Sequence, residues 1–217
     1  MGPQASMHLH TLLINNVGKN KSPSEFPLIL HVSIPSPDFT ASADVTEGAI
    51  NMIQDVCASI PVNTASVIGI ACNTAHLLLD RLTTIPKEHF VSMIESVADD
   101  IELAGHKKVG LLASPFTIKS KLYKHVLEAR GISVIEPDEV DIVILNSVIH
   151  DVIGNSHSTT LRPKLTIIAA KLQSNGADCI LLGCTELPLV GVETSLPKID
   201  SLSSLARAMT KQHKERA

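Results

Sequence analysis

The chain has 217 residues, 44% of them apolar, with 18 basic and 22 acidic side chains and a formal net charge of −4, enough length and apolar content for one large or two small α/β domains with a core. The absence of a basic run and an aromatic content of 2% argue against nucleic acid or an anionic membrane surface as partner, and no stretch approaches the roughly 18 apolar residues of a membrane span. Four cysteines do not make a disulfide scaffold. With no Cys-x-x-Cys or His-x-x-x-His pair and no signal-peptide pattern, the expectation is a soluble cytoplasmic protein with reduced thiols and no metal or cofactor.

Short apolar runs alternate with helical periodicity along the whole chain, the pattern of βαβ units. Residues 4–17 read as a helix with Pro3 at its start. A polar loop over 18–27 leads to a strand at 28–33, a loop at 35–40 and a helix over 44–59. A buried strand at 65–71, a short helix at 74–82, a short strand at 90–93 and a helix over 94–104 follow. Gly105-His106 ends that helix and marks the candidate domain boundary. The rhythm then restarts. Residues 108–113 read as a strand, 117–130 as a helix closed by Gly131, and 132–135 as a strand. Helices follow over 139–153 and 159–174, the second closed by Gly176. A strand at 179–182, a short helix at 185–190, a brief strand at 198–200 and a final helix from 201 complete the chain. The expected fold class is α/β: two pseudo-symmetric parallel-sheet domains, 1–104 plus 200–217 and 105–199, with the active site in the cleft between them.

Two segments carry chemistry. One is Ile68-Gly69-Ile70-Ala71-Cys72-Asn73-Thr74-Ala75-His76. The other is Ile180-Leu181-Leu182-Gly183-Cys184-Thr185-Glu186-Leu187. Each is an apolar run, a small residue, a cysteine and a polar residue that opens a helix. Both cysteines thus stand at the carboxyl ends of parallel strands, where open α/β sheets bind ligands. The first N–H groups of the following helix favour a thiolate and bind anions. Two such thiols facing one carbon can remove a proton from one side and deliver one from the other. Asn73, Thr74 and Thr185 add side-chain donors at the same helix starts. Cys57, in the middle of a helix, and Cys179, inside a strand, are expected in the core. His76, one helical turn after Cys72, is read as orienting the site or as packing, and His150 as pocket wall or surface. Glu186 is read first as a helix cap, ahead of acid–base work. Ser33 and Asp38, at the end of the second strand, are candidate cleft residues.

Cys-Asn-Thr-Ala-His and Gly-Cys-Thr-Glu-Leu resemble the paired motifs of the aspartate/glutamate racemases, PLP-independent two-cysteine enzymes. Met1-Gly2-Pro3-Gln4-Ala5-Ser6 resembles that family's Gly-Met-Gly-Pro turn, and Gly110-Leu111-Leu112-Ala113 with Thr117 resembles its Gly-Leu-Leu-Ala-Thr segment. The resemblance covers nearly the whole chain and is closest to aspartate racemases. It implies Cys72 and Cys184 as acid and base, carboxylate-binding roles for Asn73, Thr74, Thr117 and Thr185, no cofactor, aspartate (or glutamate) as default substrate, and frequently a homodimer. Two features depart from the family. The family has an apolar strand before its Gly-Met-Gly-Pro turn, whereas this chain begins at Met1 of that turn, so either the chain is truncated or its first sheet is one strand short. Phe39, and more loosely Gly154, stand where the family has an Arg and a Lys for the distal carboxylate. Either another cation (Lys119, Lys121, Arg162 or protonated His150) substitutes, or the pocket suits a less acidic substrate. The rival readings are another racemase or isomerase on the same scaffold, acting on a hydantoin or a cis–trans pair, and an inert amino-acid-binding homologue.

Overall fold

The computed structural model describes residues 3–18, 21–36, 43–63, 66–154 and 160–216. The first half contains α1 (Pro3–Val17), α2 (Ala43–Ser59), β1 (Ile68–Gly69) and β2 (Phe90–Val91), and α3 (Met93–Leu103) leads out of it. The second half runs β3 (Lys108–Ala113), α4 (Pro115–Lys119), α5 (Leu122–Ala129), β4 (Ser133–Ile135), α6 (Glu139–Ile153), α7 (Leu161–Ser174), β5 (Cys179–Gly183), α8 (Leu187–Val190) and β6 (Lys198–Asp200). A last helix, α9, spans Ser201–Arg216. The strands form two sheets, β1-β2 and β4-β3-β5-β6. All the pairings are parallel, with Ile68 opposite Phe90 and Ala113 opposite Gly183. The chain is the mixed α/β fold with parallel sheets that its alternating pattern implies.

The second sheet is a filled sandwich. Strands β3 and β5 are apolar runs because both faces are covered. On one face Val109, Leu111 and Leu181 meet Val97 and Ile101 of α3 and Tyr123 and Leu127 of α5. On the other, Leu112, Ile180 and Leu182 meet Leu145 and Val148 of α6 and Leu165 and Ile168 of α7. Each fully buried Leu or Ile contributes about 1.5–3 kcal/mol. The helices start where side chains cap them: Ser92 Oγ accepts the Glu95 N–H, Ser114 Oγ the Thr117 N–H and Asp138 the Asp141 N–H. Gly105, Gly131 and Gly176, expected as helix terminators, adopt positive φ (77°, 72° and 95°). The first half packs α2 (Ile50, Ile53, Cys57) against Leu78 and Leu82. In a separate cluster, Leu202, Leu205 and Ala206 of α9 pack with Ala5 and Leu9 of α1 and Val91 of β2. Cys57 and Cys179 lie in these cores, as expected. Among the described residues no helix is long and apolar enough to cross a membrane.

Four expectations change. Residues 28–33 are extended but form no strand. Among the described residues no strand pairs with them, so their backbone groups lack a ladder, and Leu28, Leu30 and Val32 stand exposed. The segment leans on the first half through Ile34, packed on the α2 cluster, and through the His31 ring, 5.8 Å from that of His10. The helix expected over 117–130 is two helices. The Ser120 hydroxyl bonds the Thr117 carbonyl, and Lys121 takes a left-handed φ of 55° between α4 and α5. Residues 74–81 form a 3-10 helix, and α8 begins two residues later than expected, at Leu187.

Candidate active site

The carboxyl ends of β3 and β5 lie side by side, so Ser114 and Cys184 follow paired residues of adjacent strands. Gly183 has no room for a side chain: a Cβ there would stand 2.9 Å from Leu111 Cδ1 and 3.1 Å from Tyr123 Cε2. The chain then turns, leaving Cys184, Thr185 and Glu186 buried. Both the Cys184 Sγ–H (3.1 Å) and the Thr185 hydroxyl (2.9 Å) donate to one Glu186 carboxylate oxygen. Glu186 therefore does not cap α8 with its side chain, as the sequence suggested; its carboxylate faces the thiol. Burial, joined by the Glu186 charge, pushes the Cys184 thiol well up from its ordinary value, with a smaller contribution from Cys72.

The other thiol belongs to the first half. After β1 the backbone turns tightly, the Cys72 N–H bonding the Ile70 carbonyl at 2.8 Å, and enters the 3-10 helix. Burial pushes the Cys72 thiol up to about 11; the Ala75 N–H opposes this and the Glu186 charge adds to it, while the Thr74 N–H favours the thiolate. Both sulfurs thus feel the same carboxylate, one from each half of the molecule.

Hydroxyls and one amide join the halves. Thr74 Oγ1 lies 3.0 Å from Thr117 Oγ1 and 3.5 Å from Ser114 Oγ, and Ser114 also donates to Thr117 at 3.0 Å. Asn73 Nδ2 donates to Ser201 Oγ at 3.1 Å, and Asn73 Oδ1 accepts from the Tyr123 hydroxyl. Tyr123 is fully buried, and its burial pushes the phenol pKa up. His76 is 8% exposed; its Nδ1 lies 2.8 Å from the Cys72 carbonyl, and its Nε2 accepts the Met93 N–H at 3.0 Å.

The structure therefore gathers Cys72, Asn73, Thr74, His76, Thr117, Cys184, Thr185 and Glu186. Ser33 is not among them, being exposed on the unpaired extended segment. His150 is exposed on the last turn of α6, and Gly154 follows as the C-cap of that helix. Asp38 and Phe39 lie outside the described residues. Three members were missed: Ser114, Tyr123 and Ser201. Ser114 had a signal, since Ser-Pro three residues before Thr117 is a helix-start pattern. Tyr123 had a weaker one, as the single tyrosine of the chain. Among the described residues one group brings three metal-type donors within 4.8 Å, His106, Asp178 and Cys179. It stands at the amino-terminal ends of β3 and β5, the ends opposite the thiols, and Asp178 there accepts the Lys107 and Lys108 N–H groups.

The chain is similar to known proteins. The chain is 24% identical over 213 residues to the broad specificity amino-acid racemase RacX of Bacillus subtilis, covering 96% of this chain and 92% of that protein. The aspartate racemase of Picrophilus torridus superposes with a TM-score of 0.84 at 27% identity, over 98% of this chain and 90% of that one. An aspartate racemase homologue from Pyrococcus horikoshii superposes with a TM-score of 0.77 at 25% identity, over 98% and 95%. The family profile of the Asp/Glu/hydantoin racemases matches residues 1–209, and with this match the chain belongs to that family.

Proposed function

We propose that the chain is a cofactor-independent amino-acid racemase in which Cys72 and Cys184 act on opposite faces of the substrate α-carbon. The observation that carries this reading is the joining of the two cysteine turns across the halves, where Thr74 beside Cys72 meets Thr117 and Ser114 at the end of the strand next to that of Cys184, and Asn73 meets Tyr123. Each thiol comes from a different half, and both feel Glu186. Membership of the racemase family supports the activity class.

The substrate carboxylate is received by the hydroxyls of Thr74, Ser114 and Thr117, with Thr185 beside Cys184. In one direction the Cys184 proton passes to Glu186, its hydrogen-bonded neighbour. The resulting thiolate takes the α-proton, and the Cys72 thiol gives its proton to the opposite face. Cys72 is left as the thiolate, which the Ala75 and Thr74 N–H groups favour; Glu186 releases to solvent the proton it took from Cys184, and a solvent proton restores Cys72. The reverse direction exchanges the roles. The carbanion is held by donors aimed at its carboxylate in a site largely closed to water.

Aspartate or glutamate is the default substrate by family. A less acidic substrate is favoured by Phe39 in place of a cation and by similarity to a racemase named for broad specificity. The test is incubation in deuterium oxide with each enantiomer of a panel of amino acids. Loss of optical rotation with deuterium at the α-carbon is the expected result, surviving hydroxylamine and EDTA and lost to iodoacetamide. Binding without exchange would instead make the chain an inert amino-acid-binding homologue.

A further inference from the structure

Met93 is the first residue of α3, and its N–H is one of the helix-start donors that no intrahelical carbonyl can reach. Met93 is fully buried, so water does not serve that donor either. Its acceptor is His76 Nε2, at 3.0 Å. A ring nitrogen that accepts carries no proton, so the neutral ring holds its proton on Nδ1. That N–H donates to the Cys72 carbonyl at 2.8 Å. Both nitrogens are committed, which leaves His76 no free position for acid–base chemistry. Burial of the ring pushes its pKa down, in keeping with the neutral form.

We propose that His76 is a positioning residue for Cys72. It ties the carbonyl of the cysteine to the first turn of α3, so that the tight turn carrying the sulfur is braced against a helix packed on the second sheet. The Cys184 carbonyl instead accepts the Leu187 N–H of its own turn at 3.1 Å, and the Cys184 thiol faces the Glu186 carboxylate. The two thiols are therefore held by different devices, and a defect at His76 falls on one of them.

The inference rests on the two-thiol reading above, and the experiment separates the two. When one thiol is disabled, the enantiomer deprotonated by the other still exchanges its α-proton with solvent but returns without inversion. Cys72→Ser and Cys184→Ser should show this exchange for opposite enantiomers. His76→Leu should reproduce the Cys72→Ser pattern, with kcat down at least tenfold and KM changed less than threefold, because the hydroxyl cluster is intact. His76→Asn keeps a donor near the Nδ1 position and should recover most of the lost kcat; it also serves if the Leu variant does not fold. Symmetric loss of exchange from both enantiomers in the His76 variants, with the Ser variants still opposed, would overturn the positioning role alone. Ser variants that show no opposed pattern would overturn the two-thiol reading, and this inference with it.

Discussion

Glu186→Gln separates the two effects that the carboxylate exerts on the thiols. The side chain keeps its size and an acceptor oxygen, but the charge is gone. At 3.1 Å from Cys184 Sγ, a carboxylate opposes a thiolate by about 5 kcal/mol at an effective dielectric of about 20. The substitution should therefore lower the Cys184 pKa, and the Cys72 pKa by less, since Glu186 accepts a hydrogen bond from Cys184 but reaches Cys72 only through its charge. The assay is alkylation by iodoacetamide at pH 7.5, with the modified cysteine identified by peptide mass. Cys184 should react at least tenfold faster than in the unmodified protein, with a smaller gain at Cys72. Racemisation should fall about a hundredfold, the typical worth of one positioned proton acceptor. A more reactive thiol in a slower enzyme is an outcome that simple damage to the fold would not give. Unchanged alkylation of Cys184, with racemisation intact, would refute the reasoning.

Three further outcomes are expected. Tyr123→Phe leaves Asn73 Oδ1 buried without its donor, which should cost about 1–3 kcal/mol and lower the melting temperature by about 3–10 °C; an unchanged melt would mean that the amide finds another partner. With the Cys72 thiol at about 11, the thiolate fraction grows tenfold per pH unit, so kcat/KM for the enantiomer that Cys72 deprotonates should climb steeply from pH 7 to 9. Because the folded value lies above the ordinary 9.0, this thiol's contribution to stability is full below 9.0 and lost as pH rises through about 11; an activity maximum near pH 6 would contradict the assignment. On substrate choice, kcat/KM for neutral amino acids should exceed that for aspartate, and Phe39→Arg should raise the aspartate value tenfold or more. Strong preference for aspartate in the unmodified protein would show that another cation serves the distal carboxylate.

What the sequence revealed follows from how local each feature is. Strands β3 and β5 were readable because burial on both faces leaves unbroken apolar runs, and α6 because Asp138 caps it ahead of an apolar face. The cysteine turns were readable because strand, small residue, thiol and helix start are contiguous. Residues 28–33 misled because alternating apolar residues satisfy the strand pattern, yet a strand also needs a neighbour, which no local pattern supplies. Ser120 broke a helix through one hydroxyl that competes for a carbonyl. Tyr123 and Ser201 reach Asn73 across 50 and 128 positions, and spacing in sequence carries no trace of such contacts. Glu186 was read for its place at a helix start, whereas its carboxylate is turned toward a thiol that precedes it.

The packing of α9 bears on how the protein is made. A Cβ on Gly69 would lie 2.3 Å from Met209 Sδ, so the helix is seated directly on the strand that leads to Cys72. Ser201, 128 positions after Asn73, completes the amide's hydrogen bonding. At a translation rate of about 5–20 residues per second, the ribosome needs roughly 6–26 s to span that interval. Throughout it the nascent first half has its thiol but lacks the helix that closes Leu9 and Val91 over. On the proposed function, the candidate site is complete only once synthesis has passed Met209. A nascent chain stalled before α9 should carry an alkylatable Cys72 and no racemase activity.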